Sequence, residues 1–281
     1  MKFRLSSTVV FSSIAGYILG SDNPDLKNII LLSTGGILIT GCANAFNQIL
    51  EKPYDKMMER TKKRPLPCDN LTLYESNIFA TILLVLGVFF LYQVSPGGHE
   101  SCLFALLSVL LYVLVYTPLK RISSISIFVG SFPGAIPILL GWVAATNDFG
   151  LAAGILFAIQ FCWQFPHFIS IAWVLEEDYK KAGFKMMYGG EKGRYPATIA
   201  LLTSILMTII STLPYFLEIN YLSLSLYSFI ATFTLGLWFT IRALKLYIYV
   251  SDKYAKKLML GSFIYLPLIQ VIYILDKYLI Q

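Results

Sequence analysis

The sequence predicts an all-α, polytopic membrane protein of nine transmembrane helices. Three observations carry that prediction. Of 281 residues, 57% are hydrophobic and only 14% charged, whereas a soluble domain carries about a quarter charged residues. Apolar runs recur along almost the whole chain at about 20 residues, the length needed to cross a hydrocarbon core about 30 Å thick. Threading those runs through a bilayer puts nearly all basic residues on one side. The runs lack the ten-residue alternation of membrane β-strands.

The first run, 5–19, follows Lys2 and Arg4. No small-residue cleavage site with a soluble domain behind it follows, so it reads as a retained helix, short for a bilayer. Span 28–50 comes next and ends in charge. Span 73–94 is plain, and 102–117 is short again. Span 122–146 contains "GSFPGAIPILLGW" (130–142), and Gly and Pro inside a span serve either a cavity wall or close helix packing. Span 149–175 ends in acids. Spans 197–217, 222–250 and 258–280 complete the set, the eighth long enough to tilt.

With the N-terminus in the cytoplasm, that side receives the loops 51–72, 118–121, 176–196 and 251–257. Counting Arg242 and Lys245 at a helix end, it holds every one of the 22 Lys and Arg residues except Lys27 and Lys277. The net charge of +6 is therefore a topology signal. Nucleic-acid binding would require a soluble basic face, so no such partner is expected. The four cysteines are scattered singly and signal neither a zinc site nor a disulfide framework. No linker divides the chain. Residues 1–281 form one domain in which loops 51–72 and 176–196 cap a site.

"NAFNQILEKPYDKMMERTKKRPLP" (44–67) is where chemistry concentrates. Asn47, Glu51 and Asp55 sit at i, i+4 and i+8, about 6 Å apart along one stripe of a helix. Unpaired carboxylates are costly at that depth. A hard divalent cation offsets the cost, and Mg²⁺ takes oxygen ligands and bridges carboxylates to substrate phosphates. Pro53 interrupts this stripe and is expected to loosen the helix near its end. Arg60 and Arg64 follow, so acids plus cations make a diphosphate site. Lys62 and Lys63 read as solvated loop residues. A second cluster, Glu176, Glu177 and Asp178, closes the sixth span in the same orientation, and Glu177 and Asp178 are candidate ligands from the opposing side. In "VYTPLKRISS", Lys120 and Arg121 complete an anion clamp, with Tyr116 one turn below Lys120. His167, in "PHF", lies inside the sixth span and can ligate a haem iron, shuttle a proton or bond a neighbouring helix.

Taken together, "ERTKKRPL", "YTPLKR", "SFPGAIPILLGW", "WQFPHF" and "EEDYKKAGFKMM" resemble the motifs of the UbiA-type intramembrane prenyltransferases. Within that superfamily the closer likeness is to the protohaem IX farnesyltransferases. Gln48 stands where the superfamily usually has its first Asp, Glu51 where Asp is common, and Leu175 where quinone-pathway relatives carry another Asp.

The resemblance implies nine helices around a central cavity that opens to the cytoplasm or mitochondrial matrix. It implies farnesyl transfer from farnesyl diphosphate to a vinyl group of protohaem IX, giving haem O, with Mg²⁺ as cofactor. Asn47, Glu51, Asp55, Glu177 and Asp178 are then the metal set. Arg60, Arg64, Lys120 and Arg121 hold the leaving diphosphate, and His167 and Tyr116 contact substrate. Haem A synthase or oxidase assembly proteins are the implied partners, beside membrane lipids. The absence of an Arg-rich leader points to a bacterial plasma membrane, with the site on the cytoplasmic side, rather than to a mitochondrial inner membrane. The rival readings are a prenyltransferase for a quinone-pathway aromatic acid, an anion transporter, and a non-catalytic haem-handling assembly factor.

Overall fold

The computed structural model describes residues 3–217, 219 and 222–280; Lys2 of the N-terminal basic pair lies outside them. Among the described residues there is no strand. The long helices are α1 (Phe3–Gly20), α2 (Leu26–Asp55), α3 (Leu73–Tyr92), α4 (Gly98–Leu119), α5 (Ser126–Thr146) and α6 (Leu151–Val174), then, after the short α7 (Glu176–Lys181), α8 (Arg194–Phe216), α9 (Leu226–Tyr249) and α10 (Asp252–Leu275). Eight of them are long and apolar enough to span a membrane, and α1 is a shorter apolar helix over Ser6–Gly20. The protein is therefore an integral membrane protein.

Successive helices pack side by side from α1 to α6, then α6 on α8, α8 on α9, α9 on α10 and α10 back on α1, which closes a ring. Three further contacts, α1 with α5, α2 with α4 and α6 with α10, cross it. α5 and α6 are the most enclosed spans and each buries more residues than any other helix. Lipid tails are as apolar as Leu, so close backbone approach has to supply the attraction between helices. The α1–α5 crossing does so with glycine: a Cβ on Gly141 would stand 1.8 Å from the Ser13 carbonyl oxygen, and one on Gly16 2.1 Å from that of Ile138. Deeper in, Gln270 of α10 donates to Ser12 of α1 at 3.0 Å, and Gln160 of α6 donates to the Gly134 carbonyl of α5 at 2.8 Å. These buried amides tie four helices together.

Several boundaries differ from the hydropathy reading by a few residues, and two of the differences have a plain physical cause. The loop expected at 251–257 is largely helix: α10 begins at Asp252, with Lys253, Lys256 and Lys257 on its first turns. Hydropathy marks where lipid begins, and lysine is a good helix former in water. Conversely α5 begins at Ser126 rather than 122, because 119–125 is spent on a turn after Lys120.

Candidate active site

The site grows from the far end of α2. Thirty residues make α2 about 45 Å long, more than a hydrocarbon core requires. Its last turns therefore reach the polar boundary. Its buried face carries Leu32, Gly35, Ile39 and Cys42, then turns polar with Asn44, Asn47, Glu51 and Asp55. Pro53 is exposed on the other face, and the helix runs through it to Asp55. Asn47, Glu51 and Asp55 are 1%, 6% and 0% exposed, so the expected stripe points inward rather than at lipid.

Each acid meets a cation from a different segment. Lys120 Nζ donates to Glu51 Oε1 at 2.6 Å, and both side chains are under a tenth exposed. Arg64 Nη1 donates to Asp55 Oδ2 at 2.6 Å, with Arg64 itself half-buried. The loop is held beneath by Thr61, whose hydroxyl donates to the Asp55 carbonyl at 2.9 Å. Asp55 Oδ1 and Asn44 Oδ1 are buried and have no partner.

α4 reaches this face through a π-helical turn, Leu111–Tyr116. One extra residue in a turn rotates everything after it by about 100°. The turn sets Tyr116, Thr117 and Lys120 against α2. Both the N–H and the hydroxyl of Thr117 donate to the Tyr112 carbonyl. The Thr117 oxygen is then an acceptor, and it takes the Asn47 amide N–H at 3.1 Å. That fixes the Asn47 rotamer with its carbonyl oxygen free of Thr117. The Lys120 ammonium lies 4.6 Å from the Tyr116 ring, and Gly130 leaves room for that ring. Arg121 is exposed; its guanidinium lies 4.2 Å from the Tyr54 ring and bonds the Tyr54 hydroxyl.

The second acidic cluster divides. α7 starts after a break at Leu175, and successive residues point about 100° apart. Asp178 turns to the first motif: its Oδ2 accepts the Arg60 backbone N–H at 3.4 Å. Glu176 is buried and paired with Lys180 at 3.1 Å and Lys192 at 3.6 Å. Lys192 also bridges to Asp252 at 2.9 Å; burial works against its ammonium, but the two carboxylates outweigh that and raise its pKa. Glu177 is exposed and makes no hydrogen bond or ion pair with the first motif among the described residues, so the structure does not tie it to the expected metal set. Beside Asp178, burial pushes the Tyr179 phenol pKa up. The Arg60 guanidinium stands exposed at the rim without an ion pair among the described residues.

His167 also falls outside this group. Its Nδ1 meets Ser262 Oγ of α10 at 2.8 Å, and its ring stacks on Trp163 at 4.4 Å. Of the roles open to it in the sequence, bonding a neighbouring helix is the one this geometry displays. Thr117, Tyr54, Tyr112 and Phe184 were not singled out by the sequence. The Phe184 ring lies 5.7 Å from the Lys120 ammonium and 5.9 Å from the Tyr54 ring. The motifs marked the neighbourhoods, "YTPLK" for Thr117, 44–67 for Tyr54 and "EEDYKKAGFKMM" for Phe184, but no spacing picked out these side chains.

The oxygen donors on α2 fit a hard cation. They are an amide and two carboxylates, with no His or Cys among them, and the unpartnered Asp55 Oδ1 is a ready ligand atom. Among the described residues no three His, Cys, Asp or Glu side chains converge, so water and substrate oxygens have to complete the shell, as Mg²⁺ usually requires.

Residues 9–266 match the model of the UbiA prenyltransferase family. A protoheme IX farnesyltransferase of Flavobacterium psychrophilum is 48% identical over 99% of this chain and 93% of its own. A digeranylgeranylglyceryl phosphate synthase superposes with a TM-score of 0.79 at 21% identity, covering 98% of this chain and 94% of its own. A UbiA homologue of Archaeoglobus fulgidus, bound to DMAPP and Mg²⁺, superposes with a TM-score of 0.69 at 14% identity, covering 96% of each chain.

Proposed function

The chain belongs to the UbiA prenyltransferase family, and we propose that it transfers a farnesyl group from farnesyl diphosphate to a vinyl group of protohaem IX, giving haem O. One observation carries this reading: a chain 48% identical, end to end, to a protoheme IX farnesyltransferase buries two carboxylates of one helix and pairs each with a cation. Buried ion pairs are costly to assemble and of little net benefit to stability. Two of them at the inner end of a membrane helix are better accounted for as a substrate site.

In this reading the C1–O bond of farnesyl diphosphate breaks and the diphosphate leaves with the electron pair. Lys120, Arg64 and the rim guanidiniums of Arg60 and Arg121 stabilise the departing anion. The π electrons of the vinyl group form the new carbon–carbon bond, water adds to the cation left on the porphyrin side chain, and one proton is released. Tyr116, Tyr54 and Phe184 wall off the Lys120–Glu51 pair and keep water away until the carbon–carbon bond exists. Asn47, Glu51 and Asp55 would hold Mg²⁺, with Asp178 facing them across the rim. The metal, when bound, neutralises diphosphate charge. Residues Asn47 and Thr117 orient this end of α2, and Asp178 holds the Arg60 backbone.

The site faces the cytoplasm of a bacterial plasma membrane, since the basic loops 51–72 and 176–196 frame it. Haem A synthase or an oxidase assembly protein is the partner to which haem O would pass. The test is incubation of the pure protein with protohaem, farnesyl diphosphate and Mg²⁺, followed by mass analysis. A porphyrin heavier by one farnesyl group and one hydroxyl is expected. Product with 4-hydroxybenzoate and none with protohaem refutes the acceptor assignment.

A further inference from the structure

A cavity of about 440 Å³ opens beside the ion pairs, between the turn after Lys120, the α6–α7 junction and the segment 183–190. Ligand sites occupy roughly 300–1,000 Å³. The apolar part of its wall is Ile122, Ala172, Phe184, Met186 and Met187, aliphatic, aromatic and thioether side chains. Its polar and charged lining residues include Ser123, Ser124, Glu176, Lys180 and Lys185. Lys180 is paired with Glu176, and Glu176 is further neutralised by Lys192. Lys185 is exposed and has no ion pair among the described residues.

The cavity shares a wall with the carboxylate–cation site. The Lys185 backbone N–H donates to the Lys120 carbonyl at 2.6 Å, and the Phe184 ring packs near both Lys120 and Tyr54. A ligand seated here is one ring away from the group that pairs with Glu51. The cavity's charged lining is Lys180, Lys185 and Glu176, with no guanidinium; the two lysines outnumber the one carboxylate, so it suits separate carboxylate arms better than a metal-bound diphosphate. The walls suit a broad, polarisable, apolar body.

We infer that this cavity seats the acceptor, a flat apolar macrocycle bearing carboxylate arms, with Lys185 anchoring one arm and Phe184 and Met187 against its face. The inference rests on the protohaem reading above. It adds a second substrate site that borders the diphosphate site at Phe184.

The test is direct binding by the full chain in discs of zwitterionic lipid, titrated separately with protohaem, protohaem dimethyl ester and farnesyl diphosphate. Lys185→Gln should raise the Kd for protohaem about tenfold, the scale of one charge-assisted hydrogen bond. It should leave the ester and farnesyl diphosphate unaffected. Ser124→Trp, which fills the opposite wall without changing charge, should weaken protohaem and ester alike and spare farnesyl diphosphate. Unchanged protohaem affinity in both variants overturns the cavity assignment even where haem O is still formed. Equal loss of protohaem and farnesyl diphosphate also overturns it, because it marks general disruption. Failure of the wild-type protein to bind protohaem at all removes the acceptor reading itself.

Discussion

Asp55 separates a structural acid from a functional one. It is fully buried, one oxygen takes the Arg64 guanidinium at 2.6 Å, and the other has no partner. Asp55→Asn keeps the shape and an acceptor for Arg64 but removes the charge. The Arg64 side chain is 17% exposed, so its freed charge can reach water. The stability cost should then be about 1–2 kcal/mol, the difference between a charge-assisted and a neutral hydrogen bond. The catalytic cost should be far larger. An amide is a poor substitute for a carboxylate on a divalent cation, and loss of a transition-state stabiliser costs about 10²–10³-fold in rate. Haem O formation measured against Mg²⁺ concentration, beside thermal unfolding in detergent, reads both quantities. Turnover within about twofold of wild type at saturating Mg²⁺ would refute the metal assignment and leave Asp55 as an anchor for Arg64. Asp55→Ala should be equally inactive and still insert and fold in membranes.

Four further outcomes are expected. Glu51→Gln and Lys120→Met should each cost about 3–5 kcal/mol in unfolding free energy, since each strands a buried charge; the double variant should recover most of it, and simple addition in the double-mutant cycle would refute the coupling. Arg60→Ala should raise the Kd for farnesyl diphosphate more than that for protohaem, because its guanidinium stands exposed at the rim without an ion pair among the described residues; equal losses by calorimetry would argue for a structural role. Gly141→Ala should abolish stable expression, because its Cβ would lie 1.8 Å from a carbonyl oxygen on α1, and a well-folded variant would disprove that crossing. Lys52 and Lys56 hold the Asp69 carboxyl at about 2, below its unfolded value of about 3.9. Its stabilisation is therefore full above pH ~4 and lost as pH falls through about 2, so the melting difference between wild type and Asp69→Asn should vanish over that window.

The sequence by itself determined the class, the spans and the end of the bundle where chemistry resides. Twenty-residue apolar runs and one-sided Lys and Arg are one-dimensional records of the medium around the chain, and need no tertiary information. The spacing of Asn47, Glu51 and Asp55 likewise put them on one face, because helix periodicity is local. Tertiary structure decided which partners meet. Glu51 finds Lys120 across 69 residues, and Asp55 finds Arg64 rather than the nearer Arg60. A single extra residue in the π turn of α4 rotates Thr117 and Lys120 into place, and the break at Leu175 turns Asp178 inward while leaving Glu177 in water. His167 is committed to Ser262 by the crossing of α6 and α10. These are azimuths about a helix axis. One residue changes an azimuth by about 100° and leaves hydropathy unchanged, so only the packed bundle fixes them.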